Sequence, residues 1–364
     1  MRILAITNVG FDEKKESAVQ IWRIWRPLEE LRKHVDWTID YQRTFIKDID
    51  KFKEFAEFTN EEVEAAGRHL GSYDIVFASY HADAGADALM TAVNARYGTK
   101  FILDDDDNTF AIDKENPFWA NMTADHAHIM QIINRTSPYI CTTTENLADV
   151  FRKRTECGAT IYVIPNYIAD SYQSPKPDNG DKLVIGYFGG SAHWIDFEET
   201  GILPALQRVM HDHKNVHFVS YGVPVTHYLP KARYNLKDVI YGRKFVTDLF
   251  PTMQFDIGIA PLRQTVFADG KSNIKWQEYT RMGAAFLGSN VGPYKSVKPS
   301  TGVTVENTTD AWYGALETLV TDAEKRKKLV AAAQKELETN WRLEDNWMKY
   351  KTMFEEVCND RSKL

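Results

Sequence analysis

Short apolar runs alternate along the chain with longer stretches in which apolar side chains recur every third or fourth position, and this alternation predicts strands and helices in turn. Arg2 to Thr7 reads as the first strand. Asn8, Val9 and Gly10 then turn the chain toward a helix from about Ser17 to His34, on which Ile21, Trp25, Leu28 and Leu31 fall at helical spacing and Pro27 predicts a kink. Trp37 to Tyr41, Asp74 to Ser79, Lys100 to Leu103, Tyr139 to Thr142 and Tyr162 to Pro165 read as further strands, and Glu145 to Arg154 as a helix. Strand followed by helix followed by strand predicts a parallel sheet covered on both faces.

Between Ile168 and Asp181 the pattern lapses into turn residues with few large apolar side chains, which marks a linker. The alternation then restarts, with Leu183 to Phe188, Val216 to Tyr221, Val239 to Tyr241 and Phe255 to Ala260 as strands and Thr200 to Met210 as a helix. The tail from Asp310 is helical and ends in a Trp-rich stretch, Trp341 to Phe354. A length of 364 residues fits two cores of this kind. The fold class is therefore α/β, two doubly wound domains in series, with residues 1–170 as the first and 171–341 as the second.

Composition narrows the function classes. With 43% hydrophobic and 26% charged residues the chain is globular, and its apolar runs are far too short to cross a bilayer, so a soluble cytoplasmic protein is expected. Cys141, Cys157 and Cys358 are too few and too irregularly spaced for a disulfide framework or a zinc site. The net charge of −7 is uneven: residues 1–170 hold 19 basic and 28 acidic side chains, and residues 171–364 hold 25 and 23. An anionic small molecule is better suited to the second half, and an unaided polyanion is disfavoured on the first unless a local strip such as Arg23, Arg26, Arg32 and Lys33 serves it.

Two strand-to-helix turns carry glycine: Asn8-Val9-Gly10 after the first strand, and Gly189-Gly190-Ser191 after the first strand of the second half. Such turns let a phosphate approach the backbone at a helix start, though neither is a full dinucleotide fingerprint and each is equally readable as a plain tight turn. The most informative stretch runs from Asp256-Ile-Gly-Ile-Ala-Pro-Leu-Arg263 through Lys271-Ser272-Asn273-Ile-Lys275-Trp-Gln-Glu278 to Gly283. A helix starting near Ser272 would aim its N–H groups at the preceding loop, with Lys271 and Lys275 adding positive charge and Glu278 about two turns further in. A solvated charged helix face is the plainer alternative.

This stretch resembles the donor-binding segment of nucleotide-sugar glycosyltransferases of the GT-B fold, close to family 4 and its phage-encoded and bacterial relatives. Ile164-Pro165-Asn166, Gly186-Tyr-Phe-Gly189-Gly190-Ser191 and Gly288-Ser-Asn-Val-Gly-Pro-Tyr294 match as well. The resemblance implies two Rossmann-like domains facing a cleft, a last helix within 342–364 that crosses back onto the first domain, and transfer of a sugar from a nucleotide diphosphate donor, UDP foremost, to an acceptor hydroxyl with retention. It implies donor contacts from Gly10, Gly189, Gly190, Ser191, Arg263, Lys271, Ser272, Asn273 and Lys275, and a ribose contact from Glu278. No cofactor is implied beyond the donor. The chain departs from the family at Gly270, where the first glutamate of a pair stands, and in Ser191 to Asp196, where relatives carry Arg and Lys; Lys271 and Arg263 are then the remaining cations.

Asp104 to Asp107 follow a strand at the carboxyl edge, where open α/β sheets place their sites. A Mg²⁺ site, an acceptor-hydroxyl clamp, a catalytic base and a solvated loop are all compatible with four adjacent acids, and the family binds its diphosphate without metal in general. The catalytic candidates are Asp105, Asp106 and His193, with His81 as a further histidine at a strand end. Acceptors left open are a glycan or lipid-linked saccharide, a protein, and the hydroxymethylated base of viral DNA. A nucleotide-sugar epimerase and an inactive sugar-nucleotide-binding module are the alternative functions.

Overall fold

The computed structural model describes residues 1–7, 20–42, 59–79, 86–112, 137–155, 158–175, 177–190, 193–225, 228–238 and 244–360. The chain divides into two units, one made of residues 1–112, 121–166 and 343–364 and the other of residues 113–120 and 167–342.

The first unit is built on strands β1 (Arg2–Thr7), β2 (Thr38–Gln42), β3 (Ile75–Ser79), β4 (Lys100–Asp104), β5 (Tyr139–Thr142) and β6 (Thr160–Val163). They lie in the order β2-β1-β3-β4-β5-β6, every neighbouring pair parallel. Leu4, Ile6, Val76, Ala78 and Ile140 face one side and bury against Leu70, Leu89, Val93, Leu147 and Phe151 of the covering helices. Alternation along the strand sends Phe77 to the opposite face, where its ring meets Phe354 edge-on at 5.3 Å. Phe354 belongs to the terminal helix Met348–Asn359, which buries Tyr350, Met353, Phe354 and Val357 in this unit.

The helix after β1 changes type just ahead of Pro27, where a kink is expected. A π-helical turn, Ile21–Trp25, is followed without a break by α1 (Arg26–Arg32), and the Arg26 N–H donates to the Ile21 carbonyl five residues back. Proline lacks an N–H and its ring crowds the carbonyl four residues earlier, here that of Arg23; the widened turn takes up that mismatch ahead of Pro27. The wider turn also puts four consecutive residues, Ile21 to Ile24, in the interior.

In the second unit the strands are β7 (Leu183–Phe188), β8 (Val216–Tyr221), β9 (Tyr234–Lys237), β10 (Ile257–Ala260), β11 (Ala285–Ser289) and β12 (Val303–Val305). The strand expected at Val239 to Tyr241 lies outside the described residues, and Tyr234–Lys237 occupies the edge beside β8. The order β12-β11-β10-β7-β8-β9 is again all parallel. Its first strand thus lies between its second and its fourth, and the direction of winding reverses between β7 and β10. Ligands of open α/β sheets bind outside the carboxyl ends at such a reversal.

The polar stretch expected as a linker is anchored to this second unit. Ile168 forms a parallel bridge with Arg342, Asp170 pairs with Arg342 at 2.6 Å, and Tyr172, the stretch's large aromatic, is buried against Phe245 and Phe250. Among the described residues no helix is long and apolar enough to cross a membrane.

Candidate functional site

The turn leaving β7 is held tightly. The Gly189 N–H donates to the Tyr221 carbonyl at 3.1 Å, and a Cβ at Gly189 would meet the Tyr187 hydroxyl, so a larger residue here would have to displace that buried phenol. The His193 N–H closes the turn onto the Gly190 carbonyl at 3.1 Å, and helix α2 of the site (Trp194–Glu199) follows. His193 Nδ1 lies 2.9 Å from Asp196 Oδ2, and Asp196 Oδ1 accepts the Arg263 backbone N–H at 3.0 Å. The Arg263 side chain is held by the same carboxylate at 3.6 Å and by Glu199 at 3.3 Å.

Beyond β10 the chain crosses a loop and reaches the short helix Val266–Asp269, capped by the Thr265 hydroxyl. Lys271 follows, its Nζ 4.3 Å from the Phe267 ring centre. The next helix is Ile274–Met282, beginning two residues later than expected, with Asn273 at its N-cap. Asn273 Oδ1 accepts from Gln277 Nε2 at 2.9 Å, so this side chain braces the first turn from within. Glu278 is the fifth helical residue, about one turn in where two were expected. The helix is seated on the sheet by Tyr279, whose hydroxyl donates to the Ile259 carbonyl at 2.9 Å. A Cβ at Gly258 would overlap the Tyr279 ring, which is why the β10 position beneath that ring is glycine.

Glu278 is 3% exposed, and its Oε2 lies 3.1 Å from Lys275 Nζ. Burial pushes the Glu278 carboxyl up from its ordinary range and pulls the Lys275 ammonium down, each against the pull of the other's charge. The Lys275 ammonium also sits 3.6 Å from the Phe188 ring centre, a cation–π contact that ties the helix to the end of β7. Burial, together with Tyr279 and the charges of Asp196 and Glu278, pushes the Tyr187 hydroxyl well up. The ends of β7 and β10, with the helix that begins at Ile274, thus gather Gly189, Gly190, His193, Arg263, Lys275 and Glu278 at the winding reversal.

Gly10, His81 and Ser191 lie outside the described residues. Asp105 and Asp106 belong to the first unit. Asp105 is buried, its backbone N–H donates to the Cys141 carbonyl at 3.0 Å, and its Oδ1 accepts the Asp107 N–H at 3.2 Å.

Asp104 corrects the picture of a uniform acidic loop. It is the last residue of β4, fully buried, and its carboxylate meets the Arg23 guanidinium through Nη2 at 2.6 Å and through Nε at 3.0 Å. Arg23 also donates to the Ile164 carbonyl at 2.6 Å and to Asn166 Oδ1 at 3.2 Å. Burial disfavours the cation, but the Asp104 charge and its hydrogen bond, together with Tyr350 and Cys141, outweigh it and push the Arg23 guanidinium well up. Arg23 therefore leaves the surface strip proposed with Arg26, Arg32 and Lys33; Arg32 pairs with Glu29 and Lys33 with Glu30. Among the described residues no three His, Cys, Asp or Glu side chains come together as a metal-ligand set.

No protein-family model and no curated protein matches this sequence. Solved structures do match along its whole length. Sucrose-phosphate synthase from Thermosynechococcus elongatus superposes with a TM-score of 0.68 at 11% identity, over 98% of this chain and 99% of its own. The chain has the GT-B fold. Anabaena HepE in complex with UDP-glucose shares this GT-B architecture with a TM-score of 0.66 at 11% identity, over 97% of this chain and 99% of that one. A glycosyltransferase from Rickettsia africae gives 0.63 at 13% identity, over 99% of each. Two six-stranded parallel sheets are the GT-B domains of this chain.

Proposed function

We propose that this GT-B chain is a glycosyltransferase that moves a sugar from a UDP-sugar to an acceptor hydroxyl with retention of configuration. The observation that carries the reading is the buried Glu278 beside Lys275 at the winding reversal of the second sheet, where Lys275 also meets the Phe188 ring at the end of β7. A carboxylate so placed accepts both ribose hydroxyls, while Lys271 and the open N–H groups at the start of helix Ile274–Met282 face the diphosphate. HepE, named in complex with UDP-glucose, supplies the donor class.

In the transfer, the bond from the sugar's anomeric carbon to the phosphate oxygen breaks and a bond from that carbon to the acceptor oxygen forms. The acceptor's proton passes to the departing diphosphate, whose negative charge Lys271 and the helix start stabilise. Asp105 and Asp106 are the acceptor-side candidates of the first unit. Glycan, protein and modified DNA base all remain acceptor classes to be offered.

The test is titration calorimetry with UDP-glucose and UDP-N-acetylglucosamine, followed by assay of UDP release with a panel of acceptors. Binding and acceptor-dependent release are expected. Lys271→Ala should weaken UDP-glucose much more than uridine, because it removes charge near the phosphates and nothing near the base. Product formed from the donor alone would favour an epimerase, and binding without release a recognition module.

A further inference from the structure

Asp196 is not among the site residues expected from the sequence, yet it joins the two loops that flank the winding reversal. It is 6% exposed, and both of its oxygens are in use: Oδ2 by His193 Nδ1 at 2.9 Å and Oδ1 by the Arg263 backbone N–H at 3.0 Å. An ionised carboxylate only accepts, so His193 must donate from Nδ1. Its other nitrogen, Nε2, has no hydrogen-bond partner among the described residues, and the ring is about one-third exposed at 31%. Arg263, the arginine of this region, spends its guanidinium on Asp196 and Glu199.

We propose that Asp196 is a positioning residue for the donor's diphosphate, holding His193 by Nδ1 so that Nε2–H donates to a phosphate oxygen. The inference rests on the glycosyltransferase reading and goes beyond it by assigning the cation of the glycine turn. An imidazolium between a carboxylate and a phosphate makes a charge-assisted hydrogen bond on each side. The groups around His193 agree with this: Asp196 on its own helix, which also carries Glu199, the Tyr187 ring edge-on at 6.3 Å from the sheet, and Arg263 from the loop after β10, whose charge is held by Asp196 and Glu199.

Asp196→Asn separates the two duties of this residue. Asparagine keeps one oxygen to accept the Arg263 N–H but turns an NH₂ toward His193, so Nδ1 becomes the acceptor and the ring stays neutral. The experiment measures UDP-glucose and uridine affinities by calorimetry in the parent, Asp196→Asn, His193→Ala and the double variant. His193→Gln, uncharged and closer in size, serves as a second histidine variant, and thermal melts report folding. Each single substitution should weaken UDP-glucose roughly tenfold, and Asp196→Asn should add less than about twofold once His193 is gone. Uridine, lacking phosphates, should bind all variants alike.

Full additivity would overturn the proposal, since Asp196 would then act through the Arg263 loop alone. Parent-like affinity in both histidine variants would overturn it as well. A parent that binds neither UDP-glucose nor any other nucleotide sugar would sink the glycosyltransferase reading itself, an outcome visible before any variant is made.

Discussion

Lys275 Nζ lies 3.1 Å from Glu278 Oε2, one helical turn apart on a helix that seats both side chains in the interior of the second unit. Desolvation works against both charges, so the pair is a poor device for stability. Its presence calls for another reason, and the proposed ribose contact supplies one: the Lys275 charge opposes the push of burial on the Glu278 carboxyl and so favours the ionised form, which accepts from two hydroxyls.

The stability of variants should show this. Lys275→Met or Glu278→Leu alone leaves a buried charge without its partner and should cost about 3 kcal/mol, whereas the double variant should be neutral or more stable by about 1–4 kcal/mol. Urea melts of the three proteins check it. UDP-glucose binding should be lost in the double variant despite its stability; a double variant that binds like the parent removes this pair from the donor site.

The raised Glu278 carboxyl sets a pH window. Its ionised form is the one that accepts from ribose, so UDP-glucose affinity should fall as the pH drops, beginning above the ordinary glutamate range near 4.5. In Lys275→Met the opposing charge is gone and the loss should move to higher pH. For folding the sign is opposite: a carboxyl raised in the native state favours the protonated form, so its contribution is greatest in acid and is lost as the pH rises through the raised value. Affinity profiles of the parent and the variant that coincide would remove Glu278 from the donor site.

Glu278→Gln preserves size but replaces one acceptor oxygen with a donor. A roughly tenfold loss of UDP-glucose affinity is expected, since hydrogen bonds to a charged group contribute about 1.5–3 kcal/mol each. A 2′-deoxyribose donor should bind the parent poorly and lose little more in the variant. If the two losses add in full, the carboxylate and the ribose do not meet.

The Arg23–Asp104 pair makes a prediction for the first unit. Both side chains are fully buried, and Arg23→Met or Asp104→Asn should cost about 3–5 kcal/mol by stranding the partner. Combining Arg23→Met with Asp104→Leu should recover most of the loss in denaturant melts. Recovery of nothing would mean that the contacts of Arg23 with Ile164 and Asn166, rather than the ion pair, hold this region.

Much of the framework is legible in the sequence. β5 and β7 begin and end where the apolar runs do, because strands buried on both faces read as nearly continuous hydrophobic segments, and β8 and the helix Glu145–Arg154 also match their expected bounds. Arg23 is not legible. On a regular helix it falls among the basic residues of a solvent face, and only the π-helical turn before Pro27 carries it inside. Asp196 escapes for a different reason, since its partner Arg263 is 67 residues away and the two meet because β10 lies beside β7. Glu278 is found from its motif, but its burial with Lys275 appears only once Tyr279 packs over Gly258.

The terminal helix also sets an order of events during synthesis. Residues 343–364 belong to the first unit, where Trp347 stacks on His34 at 4.1 Å and Phe354 meets Phe77 and Trp37. When synthesis reaches Arg342 every residue of the second unit has been made, while the sheet begun at Arg2 still lacks the rings of the terminal helix. The half whose strands come first in the chain is therefore the half completed last, once the terminal helix has been made.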